Sequence, residues 1–279
     1  GQGAVQIMLL SYQPGNASTS APRFYIDNLT FRDGTASGFQ RGGALDIALS
    51  GANATNEIWL ENLVVRNNSG YFAGGINAYV DNGYIRLVNS LFDANSAPTT
   101  AAAHAALVVN ASPAAYGRAV VVANSTFARG TCAGNPGSGY TRGCGIAINF
   151  GTGLTAEIAN SVFHQNQIAD LTAESGFTPD GNERVFVRDS LLPLANGTMP
   201  RTIATPVSGD PLFADASSGN FLPQEASPLV NRGALPIPGA YAQFNGFDVG
   251  GGLRNRFGAI DVGALERQGL DPVFRDSFE

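Results

Sequence analysis

Apolar residues along this 279-residue chain alternate with polar ones in short bursts, and the bursts repeat. Phe24 and Ile26, Ile58 and Leu60, Ile85 and Leu87, and Val120 and Val122 are each spaced two apart. That period puts side chains on one face of a β-strand. Each burst runs into a polar residue at a fixed place: Asn28, Asn62, Asn89, Asn124, Asn160 and Asp189. The intervals are 34, 27, 35, 36 and 29 residues, the range of stacked repeat units joined by loops of unequal length. After that residue the phase slips by one, so that Phe31, Phe92, Phe127 and Phe163 point inward again. A slip at a fixed Asn predicts a sharp bend, because Asn tolerates the left-handed backbone such a bend needs. Stacked bends let each amide pair with the next, so an inward Asn ladder is expected from Asn28 to Asn160, ending at Asp189.

A second family of strands recurs between these bursts, at 43–49, 74–80, 105–109 and 145–150. Each unit then holds two or three short strands, and units stack about 4.8 Å apart. The fold expected is all-β: a right-handed parallel β-helix, or solenoid, over residues 1–200. An irregular C-terminal capping segment over 201–267 is expected to fold over the last coil, followed by an exposed tail at 268–279. A β-sandwich, the competing all-β fold, gives no reason for a fixed Asn corner. Val5, Ile7 and Leu9 continue the inward columns, so the first coil begins part-way round. Its open edge calls for an upstream segment, a local cap from Ser11–Pro22, or end-to-end self-association through the N-terminal coil.

Composition agrees with short strands and tight turns: 35 Gly, 15 Pro and only 14% charged residues. No apolar run reaches the ~18 residues of a transmembrane helix. All 16 basic residues are Arg, and the net charge of −6 excludes a nucleic-acid partner, which would need a basic face. It also speaks against a polyanionic substrate. Cys132 and Cys144 bracket a Gly-rich segment, and a disulfide closing it is expected, which places the protein outside the cytoplasm. Two Cys with only His104 and His164 beside them make no zinc site, and no metal or cofactor is called for.

The outward columns carry the candidate chemistry. Arg23, Tyr25 and Asp27 should stack on Glu57, Trp59 and Glu61, then on Tyr84, Arg86 and Val88. Tyr25, Trp59 and Arg86 would form one column, with Asp27 and Glu61 beside it. Flat aromatics suit sugar faces and carboxylates suit hydroxyls, so this face is the ligand-binding candidate, for a polysaccharide or another surface protein. Adjacent carboxylates also approach the spacing of glycosidase pairs. The plainer alternative is that a loop covers these rings. No pectate lyase, polygalacturonase or pectin methylesterase motif is present. His104 lies in an Ala-rich loop and His164 in a turn facing solvent, and neither is given a catalytic role. Loops at 32–41, 66–73, 93–104 and 128–143 should form a wall along one edge.

Three sets of residues carry a resemblance. Gly-Gly-Ala-Leu at 42–45, with Phe-Asp-Ala-Asn at 92–95 and Phe-His-Gln-Asn at 163–166, resembles polymorphic outer-membrane protein repeats. The stretch from Asp210-Pro-Leu-Phe213 to Gly258-Ala-Ile-Asp-Val-Gly-Ala-Leu-Glu266 resembles the closing region of bacterial choice-of-anchor Q proteins. The last residues are similar to a Phe-x-Asp-Gly-Phe-Glu ending of exported bacterial proteins, with Ser277 in place of the Gly. Together these cover nearly the whole chain. They imply an exported β-helix at an extracellular or bacterial cell-surface location, acting in adhesion, binding or extracellular structure. A carbohydrate-active enzyme is the alternative.

Overall fold

The computed structural model describes residues 8–12, 23–36, 41–50, 55–99, 102–112, 118–133, 143–151, 153–175, 184–197, 201–235, 246–255 and 259–268. Val5, Ile7, most of the Ser11–Pro22 segment, residues 37–40, 100–101 and 134–142 of the loop wall, and the tail beyond 268 lie outside these residues.

The described residues are nearly all β, with no α-helix among them. Three walls of parallel strands run through the molecule. The first stacks Met8–Tyr12, Leu45–Leu49, the front of Ile76–Val88, Ala105–Ala111, Ile146–Phe150, Leu171–Ser175 and Ala195–Asn196. The second stacks Arg23–Asp27, Asn56–Glu61, the back of Ile76–Val88, Val120–Ala123, Thr155–Ala159, Arg184–Arg188 and Arg201–Ala204. The third stacks Thr30–Arg32, Val64–Arg66, Leu91–Asp93, Thr126–Ala128 and Val162–His164. The sheets curl into a half-barrel around one apolar core. Alternation fills it: Leu45, Ile47 and Leu49 are fully buried, as are Ile58, Leu60, Ile85 and Leu87. Each such side chain contributes about 1.5–3 kcal/mol. Phe92, Phe127 and Phe163 stack face to face, with centroids 5.0 and 4.9 Å apart.

The fixed polar residues are the corners between the second and third walls. Asn28, Asn62, Asn89, Asn124, Asn160 and Asp189 all take the left-handed conformation, with φ between 46° and 56°. The ladder they make differs from the inward one expected. Asn28 is exposed and Asn62 half-buried; only Asn89, Asn124 and Asn160 are buried. Asn89 Nδ2 donates to Asn62 Oδ1 and Asn160 Nδ2 weakly to Asn124 Oδ1 at 3.4 Å, while Asn62 Nδ2 turns to Asp27 Oδ1. The inward position belongs to the next residue. Ser90, Ser125, Ser161 and Ser190 form a continuous ladder, in which each main-chain N–H donates to the Oγ one rung on, at 3.1, 3.3 and 3.1 Å. Each Oγ–H returns to the carbonyl two residues back. A left-handed residue reverses the facing of its neighbour, so the amide is carried outside and the hydroxyl inside.

A second left-handed corner follows each of the first five by five residues, at Asp33, Asn67, Ala94, Arg129 and Gln165. The residue after it again points inward, giving Gly34, Asn68, Asn95, Gly130 and Asn166. Asn68 donates to Asn95 Oδ1 at 3.0 Å. The rung with Gly130 has no amide to offer, and His104 fills the gap. Its Nδ1 accepts from Asn95 Nδ2 at 3.1 Å and its Nε2–H reaches Asn166 Oδ1 at 2.8 Å.

The C-terminal segment does more than cover the last coil. It starts there, with Val207 N donating to Ser190 O, and then runs back along the outer face of the third wall. Val207, Phe213, Phe221, Leu229, Val262 and Ala264 pack against Leu91, Ala128, Val162 and Leu191 as a second core. Polar contacts fix the register. Ala264 N donates to Thr126 Oγ1, Gly263 N to Asn160 O, and Arg254 reaches Asn89 Oδ1. The outer face of this wall is apolar, so it needs cover along its whole height. The same packing half-buries His164, expected in a solvated turn: it ends a strand, and its ring lies edge-on to Phe213 at 5.3 Å.

Candidate functional site

Strand register brings the expected columns together. Tyr25 pairs with Trp59 and Trp59 with Arg86; Asp27 pairs with Glu61 and Glu61 with Val88. The face they form is not uniformly open. Tyr25 is 47% exposed, while Trp59, Glu61 and Arg86 are 3%, 7% and 4% exposed. Further along the same outer face Val88, Val121, Ala123 and Ala159 are buried as an apolar cluster. Of the five candidates, Tyr25 and the half-buried Asp27 are the ones that meet solvent.

The enclosed residues have partners of their own. Trp59 Nε1 donates to Glu57 Oε2 at 3.0 Å, and Arg23 forms an ion pair with the same oxygen. Trp59 meets Tyr84 edge-on at 5.9 Å. The Arg86 guanidinium lies 4.4 Å over the Tyr84 ring and donates to the carbonyls of Ile85 and Arg118. Burial lowers Arg86 to about 10, still a cation at neutral pH. For Glu57, burial pushes upward, but hydrogen bonds from Arg23, Tyr84 and Trp59 outweigh it and hold the carboxyl below its ordinary value. Arg86 is therefore a bracing cation within an aromatic and acidic face.

At the open end, the Tyr25 hydroxyl donates to Glu61 Oε2 at 2.7 Å, and Asn62 Nδ2 donates to Asp27 Oδ1 at 2.6 Å. Burial, with the charge of Asp27 added, raises Glu61 above the usual carboxylate range, although the Tyr25 hydrogen bond opposes this. Tyr25 is raised by burial and by the hydrogen bond to Glu61. The ring is anchored through its hydroxyl to Glu61 and remains about half exposed. Such an arrangement can stack on an apolar ring face and accept hydrogen bonds from hydroxyls.

The remaining sequence candidates are structural. Cys132 and Cys144 are bonded, with Cα atoms 5.2 Å apart. His104 is fully buried, and burial lowers it to about 4, so it is a neutral bridge between amides. Among the described residues no group of three or more His, Cys, Asp or Glu is placed to hold a metal ion. No helix among them is long and apolar enough to cross a membrane. The closing motif is a clasp: both Glu266 oxygens accept from Asp261 N, Asp248 Oδ2 accepts from Glu266 N, and Asp261 accepts from Asn231 N and Arg267 N.

Sequence reasoning passed over the Ser ladder, the second corner and the role of His104. The first was visible as Asn-Ser at 89–90, 124–125 and 160–161, and Asp-Ser at 189–190. The second has mixed residue types at its left-handed position and left no single-residue signature. Comparison with protein-family models, with curated proteins and with solved structures yields no match.

Proposed function

We propose that this chain is a right-handed parallel β-helix exported to the bacterial cell surface, where it works as a binding module for a saccharide. The observation that carries the binding reading is Tyr25, an exposed ring anchored through its hydroxyl to Glu61 beside Asp27. Three parallel walls sharing successive corners support the helical architecture. The disulfide supports an oxidising compartment. The resemblance of the repeats and of the closing motif to exported surface proteins supports the same location. An array of saccharides probed with the purified protein tests the reading. Binding to one class of sugar, lost in Tyr25→Ala, is the expected result. Binding to none of them, or binding that survives Tyr25→Ala, would remove it.

One observation favours a carbohydrate-active enzyme as the second reading: Glu61 is held above its ordinary range next to Asp27 on the adjacent rung. A carboxyl group with a raised pKa beside a second carboxylate is the pairing that glycosidases use. Against it, Glu61 is buried and already accepts from Tyr25, and Asp27 accepts from Asn62. Release of reducing ends from a bound polysaccharide, abolished by Glu61→Gln, would favour catalysis; binding without turnover favours the module.

A further inference from the structure

We propose that Tyr25 and Phe247 are the two ends of one binding surface, and that the saccharide it takes is an uncharged chain of several units. The inference rests on the saccharide reading of Tyr25 and extends that site along the corner column.

Phe247 comes from the C-terminal segment and is 49% exposed. Leu253 stands opposite it across an antiparallel bridge and is 51% exposed, so the two make one apolar platform. Phe213, Phe221, Leu229 and Val262 of the same segment turn instead to the third wall. The hairpin that carries the platform is held at many points. Asp248, itself buried, accepts from Gly250 N and Gly252 N at 2.9 and 2.7 Å and from Glu266 N at 2.7 Å. Arg254 N donates to Gly246 O at 2.7 Å, and Gln268 Nε2 to Leu253 O at 3.0 Å. An exposed ring on so fixed a hairpin is preorganised for a ligand, because little ordering remains for binding to impose.

Asn89 joins this platform to the Tyr25 face. Its Nδ2 donates to Phe247 O at 2.9 Å and also to Asn62 Oδ1, and its Oδ1 accepts from Arg254. Asn62 in turn donates to Asp27 Oδ1 at 2.6 Å, in the coil of Tyr25. One run of hydrogen bonds thus connects the two ring-bearing elements, from Asp27 through Asn62 and Asn89 to Phe247. Asn28, Asn62 and Asn89 stand on successive rungs, so the platform lies two rungs from the Tyr25 coil, about 10 Å along the stack. A single sugar ring cannot rest on both. A chain lying along the corner can, with one unit on Tyr25 and a later one on Phe247. Between them it meets the carboxylate of Asp27 and the exposed Asn28, which offer acceptors and a donor to hydroxyls. Asp27, Glu61 and the net charge of −6 favour an uncharged chain over an acidic one.

Titration calorimetry with cello-, manno-, galacto- and chito-oligosaccharides, each from the monosaccharide to the hexasaccharide, tests it. Affinity should rise with chain length and level off once both rings are covered. Phe247→Ala should weaken the longest chains roughly tenfold and leave the shortest binding chain unchanged. Tyr25→Ala should weaken chains of every length. Phe247→Trp should bind long chains as the wild type does, and Phe247→Leu, which keeps an apolar side chain, should lose what Phe247→Ala loses. The main chain of Phe247 holds the hairpin to Asn89, so Tm should be the same in all three Phe247 variants. Suppose binding is lost in Tyr25→Ala, yet length has no effect or the Phe247 variants act alike on short and long chains. Then this inference falls and the Tyr25 reading stands. Binding to no member of any series overturns both.

Discussion

The imidazole of His104 occupies the space that a side chain on residue 130 would need. A Cβ added to Gly130 would lie 2.8 Å from His104 Nε2 and 2.4 Å from Cys144 O. The adjacent rungs carry Asn95 and Asn166 at this place, so one rung gives up its amide and a histidine from the first wall's entry bridges the gap. Every polar atom of the bridge is used. Asn95 Oδ1 accepts from Asn68, its Nδ2 also donates to Val65 O, and Asn166 Nδ2 donates to Phe127 O and Asp170.

Gly130→Ala should therefore destabilise the protein. One obstructing atom is a main-chain carbonyl that cannot swing aside, and overpacking of this kind costs about 1–3 kcal/mol. Calorimetry should show a Tm lower by several degrees. An unchanged Tm would mean that residue 130 and His104 are not in contact.

His104 should also shape the pH dependence of stability. Burial lowers it from 6.5 to about 4. Between those values the unfolded chain holds a proton that the folded chain does not, so stability falls as pH drops from 6.5 to 4 and levels off below. The loss is on the order of 3 kcal/mol. Glu266 works with the opposite sign in a higher window: burial raises it from 4.5 to about 8, so its contribution falls as pH rises through that range. Urea unfolding at a series of pH values should show the acid-side loss in the wild type and not in His104→Gln. Parallel pH profiles for the two proteins would contradict the bridge.

The corners and core columns were legible in the sequence because both rest on local rules. Alternation marks a strand face, and Asn at five first corners, with Asp189 at the sixth, marks a left-handed turn. The Ser ladder was hidden by the Asn beside it: both residues are polar, and the facing of each depends on a backbone turn that the pattern indicates only indirectly. The course of 201–267 was read as a cap because Pro and Gly announce irregular chain but not where it lies. Its path follows from the apolar outer face of the third wall, at Leu91, Ala128 and Val162, whose height cannot be read from one repeat. For the ligand face, the register of Tyr25, Trp59 and Arg86 was legible and the burial of Trp59 and Arg86 was not, since burial depends on what packs above a strand.

The two corner residues should respond differently to mutation. Ser125→Ala removes the acceptor of Ser90 N and leaves a buried N–H unpaired, a cost of about 1–3 kcal/mol. Asn124→Gly keeps the left-handed turn at no steric cost and removes an amide whose Nδ2 already lacks a partner, so it should change stability by less than about 1 kcal/mol. Chemical denaturation of both variants checks this. Equal losses would return the structural role to Asn.

The Cys132–Cys144 bond closes a short loop between the Thr131–Cys132 strand and the entry to the first wall. Intact mass should rise by about two hydrogens on reduction, and the loss of stability should be about 3 kcal/mol for a loop of this size. A reduced protein with the same Tm as the oxidised one would show that the rungs on either side hold themselves.

Stacked rungs in register underlie the Ser ladder and the Tyr25 face alike. Residue-resolved amide hydrogen exchange tests that register most directly. Ser90, Ser125 and Ser161, each donating inward to the hydroxyl of the next rung, should be among the slowest amides in the protein. Exchange of these three at the rate of exposed loops would contradict the account.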